Sequence, residues 1–212
     1  MRRLIFTILL KDALLTGWIV LAFATVAAAV ITGSKHDLSG KGWGTDEICK
    51  FCHIPHNAIS VIDGAWKAPL WNHKMTTANF TMYSSPSLKV NPDPQPRSPS
   101  KLCLSCHDGV TAIDSYGTRS GTHLMTGSSN LGTDLSDDHP ISIPWDHRAA
   151  TGGNCLGCHV MHGGGELKPD LPLRNGYIEC VSCHEPHNKY SFPNMTRYTM
   201  AGSALCLKCH GK

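Results

Sequence analysis

The apolar residues of this chain are gathered at one end. From Ala13 to Ile31 the sequence "ALLTGWIVLAFATVAAAVI" carries no charge, and it follows "MRRLIFTILLK" with Arg2, Arg3 and Lys11. A positive start, an apolar run and the small residues Ala27 and Ala29 predict an export signal cleaved after Ala29. Residues 1–29 are therefore expected to be a signal peptide. The rival expectation is an uncleaved anchor, since the run approaches the ~20 residues that span a bilayer. Past this leader the pattern changes. Residues 30–212 are rich in Gly, Pro, Ser, Thr and Asn and hold few long stretches at helical or alternating period. The expected fold is mostly irregular coil with short α-helices at the cysteine motifs. Residues 84–100, "SSPSLKVNPDPQPRSPS", read as extended and partly polyproline-like, and residues 117–134 read as a second loop.

An exported chain with 10 cysteines invites a disulfide scaffold. The spacing argues otherwise. All ten fall into C-x-x-C pairs, Cys49 with Cys52, Cys103 with Cys106, Cys155 with Cys158, Cys180 with Cys183 and Cys206 with Cys209, and each pair is followed at once by histidine. Histidine is only 13 of 212 residues, so chance does not produce that placement in every pair. Zinc prefers four-ligand Cys/His sets and leaves a histidine repeated at the fifth position unexplained. C-x-x-C-H is the attachment signature of c-type haem: two cysteines add to the vinyl groups of one porphyrin edge, and the next residue brings an imidazole beneath the iron. Five haem c groups are thus expected, with proximal ligands His53, His107, His159, His184 and His210. About 37 residues per haem is too little polypeptide for an independent core. The haems are expected to form the core of a single pentahaem cytochrome c domain, 30–212.

A second histidine follows three residues after the first in "CKFCHIPHN" (49–57), "CLGCHVMHG" (155–163) and "CVSCHEPHN" (180–188). Read as positions i and i+3 of one helical turn, His184 and His187 point to similar sides and cannot grip one iron from opposite faces. His187 is therefore expected to address a different haem, stacked close by. The same reading applies to His56 and His162. Alternatively, these histidines hydrogen-bond propionates or cap the turn. Pro55 and Pro186 would stiffen the turns, and Asn57 and Asn188 would orient an imidazole or end the helix.

The remaining two distal ligands are expected from His36, in this chain or a neighbouring subunit, and His139, held by Pro140 beside Asp137 and Asp138. The distal set is then His36, His56, His139, His162 and His187. His73, His123 and His147 are left over as propionate partners or surface residues. Methionine, from Met75, Met82, Met125, Met161, Met195 or Met200, ranks second as a distal ligand and would raise the potential.

Charge adds little. The chain has 19 Lys+Arg against 16 Asp+Glu, but three of the basic residues lie in the leader, and no basic patch points to nucleic acid. Haem propionates would make the loaded surface acidic. Trp43, Trp66, Trp71 and Trp145 are expected to pack against flat apolar cofactors rather than to relay electrons.

The segments "HDLSG", "EICKFCHIPHN", "APLWNH", "KLCLSCHDG", "LGTDLSDDHP", "IECVSCHEPHN" and "GSALCLKCH" resemble the paired-CxxCH multihaem cytochromes of metal-reducing bacteria, including the OmcE-type cytochromes that polymerise into extracellular filaments. The resemblance implies distal ligands at His36, His56, His139 and His187, with a ligand that can cross between subunits. Many relatives carry four haems, so residues 146–165 look like an inserted haem unit. The expected function is electron transfer through bis-histidine haems, without catalysis, in a homopolymer at the cell exterior that exchanges electrons with other redox proteins or extracellular acceptors. Three alternatives compete with it. They are a periplasmic electron shuttle, an oxyanion reductase with an open iron, and a quinol-oxidising cytochrome that keeps its N-terminal anchor.

Overall fold

The computed structural model describes residues 31–59, 62–63, 66–86, 88, 90–145 and 171–209. The expected leader and the expected third haem unit lie outside the described residues, save for Ile31 at the end of the apolar run. For that unit this means Cys155 and Cys158 as attachment sites, His159 as proximal ligand and His162 as distal candidate; His147 and His210 lie outside as well.

Irregular backbone dominates. Two α-helices are present among the described residues, α1 (Ser98–His107) and α2 (Cys180–Cys183), with 3-10 turns at Ile48–Phe51, Gly127–Ser129, Pro193–Met195, Ala201–Ser203 and Cys206–Lys208. Two antiparallel ribbons complete the regular structure: β1 (Ile62–Asp63) pairs with β2 (Trp66–Lys67), and β3 (Ile143–Pro144) with β4 (Tyr177–Ile178). No described helix is long and apolar enough to cross a membrane.

Helix α1 shows how this sequence produces order locally. Pro99 occupies its first turn, where a missing N–H costs nothing. The polyproline-like reading of 84–100 therefore fails at its last three residues, which begin the helix. The helix is buried around much of its circumference, at Pro99, Ser100, Leu102, Leu104 and Ser105. The helix stops at Asp108, and Gly109 follows at φ +67°, where an added Cβ would lie 2.5 Å from the Asn130 side chain. The Leu131 amide then donates to His107 O at 2.8 Å, fastening the long loop back onto the helix end.

The apolar core is small. Phe80, Leu104 and Leu135 pack together, edged by Ala78, Met82 and Ile141. Much of the remaining interior is polar and hydrogen-bonded. Glu179 is the clearest case: it caps α2 in a reciprocal box with Ser182, and accepts from Ser100 Oγ on α1 and from Ser142 Oγ at 3.1 Å. Arg97 Nε lies 3.9 Å from the same carboxylate, with its guanidinium over the Tyr177 ring. The Cys180 amide donates to Ser100 Oγ at 3.1 Å. One buried carboxylate thus bolts the helix carrying Cys103 and Cys106 to the helix carrying Cys180 and Cys183.

Candidate haem sites

Each described cysteine pair sits on a helical turn, but only two of the turns are α-helical. Cys103 and Cys106 lie on α1 and Cys180 and Cys183 span α2, whereas Cys49 with Cys52 and Cys206 with Cys209 flank 3-10 turns. A full or tight turn brings both sulfurs to one side, as attachment to one porphyrin edge requires.

The cysteines also meet between motifs. The Cys103 and Cys180 thiols hydrogen-bond to each other; that bond and burial hold Cys103 well up, whereas for Cys180 the bond lowers it against burial. Burial pushes Cys52 up to about 11, with Cys49 adding to it, and raises Cys106, with Cys52 and Asp108 adding to it. Burial likewise takes Cys209 to about 11. Zinc binds the thiolate, so the environments of Cys52, Cys103, Cys106 and Cys209 disfavour it, while a neutral thioether sulfur is at home in them. Among the described residues no cysteine is in a disulfide and no three His, Cys, Asp or Glu side chains gather as a metal cage.

The histidines carry the more telling geometry. The rings of His53 and His187 have centres 6.1 Å apart and planes 21° apart. Those of His36 and His107 are 6.2 Å apart at 52°. Two metal–nitrogen bonds of about 2 Å, plus roughly 1 Å from each nitrogen to its ring centre, separate two axial imidazoles by about 6 Å. Both ring pairs match that span, and each joins the histidine of one motif to a second histidine from elsewhere in the chain.

Hydrogen bonds orient these rings in a common way. Nδ1 donates to Pro69 O from His53 (2.6 Å), to Ser129 O from His107 (2.7 Å), to Asn194 O from His184 (2.9 Å) and to Pro186 O from His36 (3.0 Å). His187 Nδ1 donates to the Glu185 carboxylate at 3.2 Å. Such bonds fix the tautomer and leave Nε2 as the ligating atom. Burial lowers the pKa of His36, and nearby His107, His187 and His184 lower it further, so its ring is held neutral as iron ligation requires. A further fit lies beside His53. Trp71 packs edge-on to that ring at 6.5 Å, and its buried indole N–H has no acceptor among the described residues, a donor suited to a carboxylate such as a propionate.

The premise of a shared helical turn for His184 and His187 does not hold. Helix α2 ends at Cys183, and His184 is extended at φ −106°, ψ 147°. Proline at 186 disfavours helical geometry at the residue before it, and Asn188 turns the chain at φ +57°. Glu185, which sequence reasoning passed over, is the organising residue: its buried carboxylate accepts from the amides of His187 and Lys189 and from the His187 ring. The signal was available as a difference between two similar motifs. "CHEPHN" has an acid where "CHIPHN" has Ile54, and His56 is exposed with no hydrogen bond among the described residues.

His56 also faces no motif histidine within ring contact among the described residues. His139 is exposed, with Nδ1 3.0 Å from Pro140 O. His73, set aside as a propionate partner or surface residue, is not on the surface. It is buried, its Nδ1 donates to Lys74 O at 2.8 Å, and its Nε2 lies 3.4 Å from Cys106 Sγ.

Short turns that present C-x-x-C-H, with motif imidazoles oriented through Nδ1, suit covalent attachment of c-type haem. Residues 171–212 match a family described as the doubled CXXCH motif, which supports membership of the multihaem c-type cytochromes. No curated protein matches the chain.

Proposed function

We propose that this protein moves electrons through a chain of five bis-histidine c-type haems, without catalysing a substrate reaction, as a subunit of an extracellular filament built from copies of itself. The observation that carries the electron-transfer reading is the pair of imidazole couples, His53 with His187 and His36 with His107, each at the span of two axial ligands. When bound, haem c supplies a one-electron iron couple, and the protein supplies spacing, burial and tuning.

In this reading Cys49 and Cys52 hold the haem of His53, Cys103 and Cys106 that of His107, and Cys180 and Cys183 that of His184. Cys155 and Cys158 with His159, and Cys206 and Cys209 with His210, would hold the remaining two. His187 and His36 fill distal positions, with His56, His139 and His162 as candidates for the others. The porphyrins would complete the core, consistent with how few apolar side chains the described residues bury. Contact of the Cys103 and Cys180 thiols favours close approach of two haem edges, and hence rapid hopping between them.

At the two irons these couples would bracket, imidazole on both faces leaves no open position for a substrate, which disfavours an oxyanion reductase acting there. The filament rests on the resemblance of the motifs. Its test is electron microscopy of material sheared from cells, combined with the mass of the intact chain. Filaments of a subunit that has gained five haem masses are expected. A monodisperse monomer with every iron ligated inside one chain would overturn the assembly, and a chain without covalent haem would overturn the whole reading.

A further inference from the structure

The loop after α1 builds an imidazole site that the preceding assignment does not use. Asp114 is fully buried, and its carboxylate accepts from the amides of Thr122 and His123, both at 2.9 Å, and from His123 Nδ1 at 3.1 Å. Arg119 Nη2 donates to Oδ2 as well, at 3.4 Å. The loop is shaped around this group, since a Cβ at Gly121 would lie 2.1 Å from Asp114 Oδ1 and 2.6 Å from its backbone carbon. The His123 ring rests on Trp43, centres 4.9 Å apart and planes 34° apart. Trp43 in turn packs on the buried Phe51 of the first cysteine motif.

His123 is thus locked on two sides, while Nε2 makes no hydrogen bond among the described residues and the side chain is 52 % exposed. A carboxylate that fixes Nδ1 and leaves Nε2 outward is the device that prepares histidine to bind a metal, because it sets the tautomer and raises the basicity of the free nitrogen. Glu185 does the same for His187, which faces His53. His56 has no such bond. Among the described residues His184 is a motif histidine without a partner ring, so a distal position remains to be filled.

We infer that His123 is an axial haem ligand, oriented by Asp114, for an iron other than those between His53 and His187 and between His107 and His36. The inference rests on the multihaem reading above. Asp114 is a positioning residue: it acts on the iron through the imidazole.

The test uses the full-length, haem-loaded protein. His123→Ala keeps the covalent haem mass of the parent and converts one haem from low-spin to high-spin by electron paramagnetic resonance, with that haem now binding cyanide. His123→Met restores a low-spin haem at higher potential. If His123→Ala fails to fold, Asp114→Asn retains the ring and raises the midpoint potential of one haem alone. In dilution of the parent protein, a low-spin count independent of concentration assigns the iron to the same chain. A high-spin fraction that disappears on assembly assigns it to a neighbouring copy. A His123→Ala protein with full haem mass and every haem low-spin overturns this inference only, as does an Asp114→Asn protein in which no potential moves. Loss of covalent haem from the parent itself would instead sink the multihaem reading.

Discussion

His187 lies against His53, ring centres 6.1 Å apart, although the two histidines belong to different cysteine motifs. The motif that starts at Cys180 therefore reaches across to the one that starts at Cys49. Replacing His187 by Ala is expected to leave one haem high-spin, and that haem should be the one attached at Cys49 and Cys52. Removing Cys49 and Cys52 in the same chain abolishes the high-spin signal, and removing Cys180 and Cys183 instead leaves it. The reverse pattern would mean that His187 serves its own motif.

Glu179 bears on stability rather than on ligation. It accepts from Ser100 and Ser142 and faces Arg97, so truncation leaves two buried hydroxyl donors without their acceptor and leaves Arg97 with Asp93 as its remaining carboxylate. Glu179→Ala should cost about 3 kcal/mol in the denaturation of the loaded protein, and Glu179→Gln less, because an amide still accepts. A Glu179→Ala protein as stable as the parent would show that the two helices are held by something else.

How much of this was legible beforehand follows from the physics of each feature. The cysteine spacing is imposed by covalent attachment to one porphyrin edge, so it is written locally and survives any loop geometry. Coil as the dominant structure was likewise visible in the Gly, Pro and Ser content. The turn after His184 was misread because i and i+3 were given helical geometry, although Pro186 and Asn188 both oppose it. Partner choice was not legible at all. His36 meets His107, and His53 meets His187, through tertiary contacts that no local pattern encodes. The support for His187 was half legible, since Glu185 against Ile54 separates two nearly identical motifs. His73 is buried, and its backbone bridge with Tyr116 joins distant parts of the chain.

Asp114 predicts an acid sensitivity with a definite sign. Burial raises its pKa, but bonds from the His123 amide and ring and the Thr122 amide outweigh burial and hold it at about 2, below the ordinary 3.8. A depressed carboxylate stabilises the fold fully above the ordinary value, and the contribution fades as pH falls toward the folded value. The stability gap between the parent and Asp114→Asn should therefore be widest above pH 3.8 and close as pH approaches about 2. Denaturant midpoints taken across that window check it. A gap that widens on acidification would contradict the assigned bonds.

His36 makes the last case, because it separates a ligand kept within the chain from one donated to a neighbour. It follows closely on the expected leader, a place where backbone is seldom ordered unless tied down. Here it is tied: its Nδ1 donates to Pro186 O, its ring faces His107, and Asp37 accepts from the Gly33 and Ser39 amides on either side. His36→Ala should turn the haem attached at Cys103 and Cys106 high-spin, and this should hold equally in dilute and concentrated protein, since the donor and the iron share one chain. Adding imidazole should return that haem to low-spin, as exogenous base fills the vacated position. In the unsubstituted protein the same haem should stay low-spin at every dilution. If it becomes high-spin on dilution, the iron opposite His107 takes its second histidine from another copy, and the pairing of His36 with His107 would have to be given up.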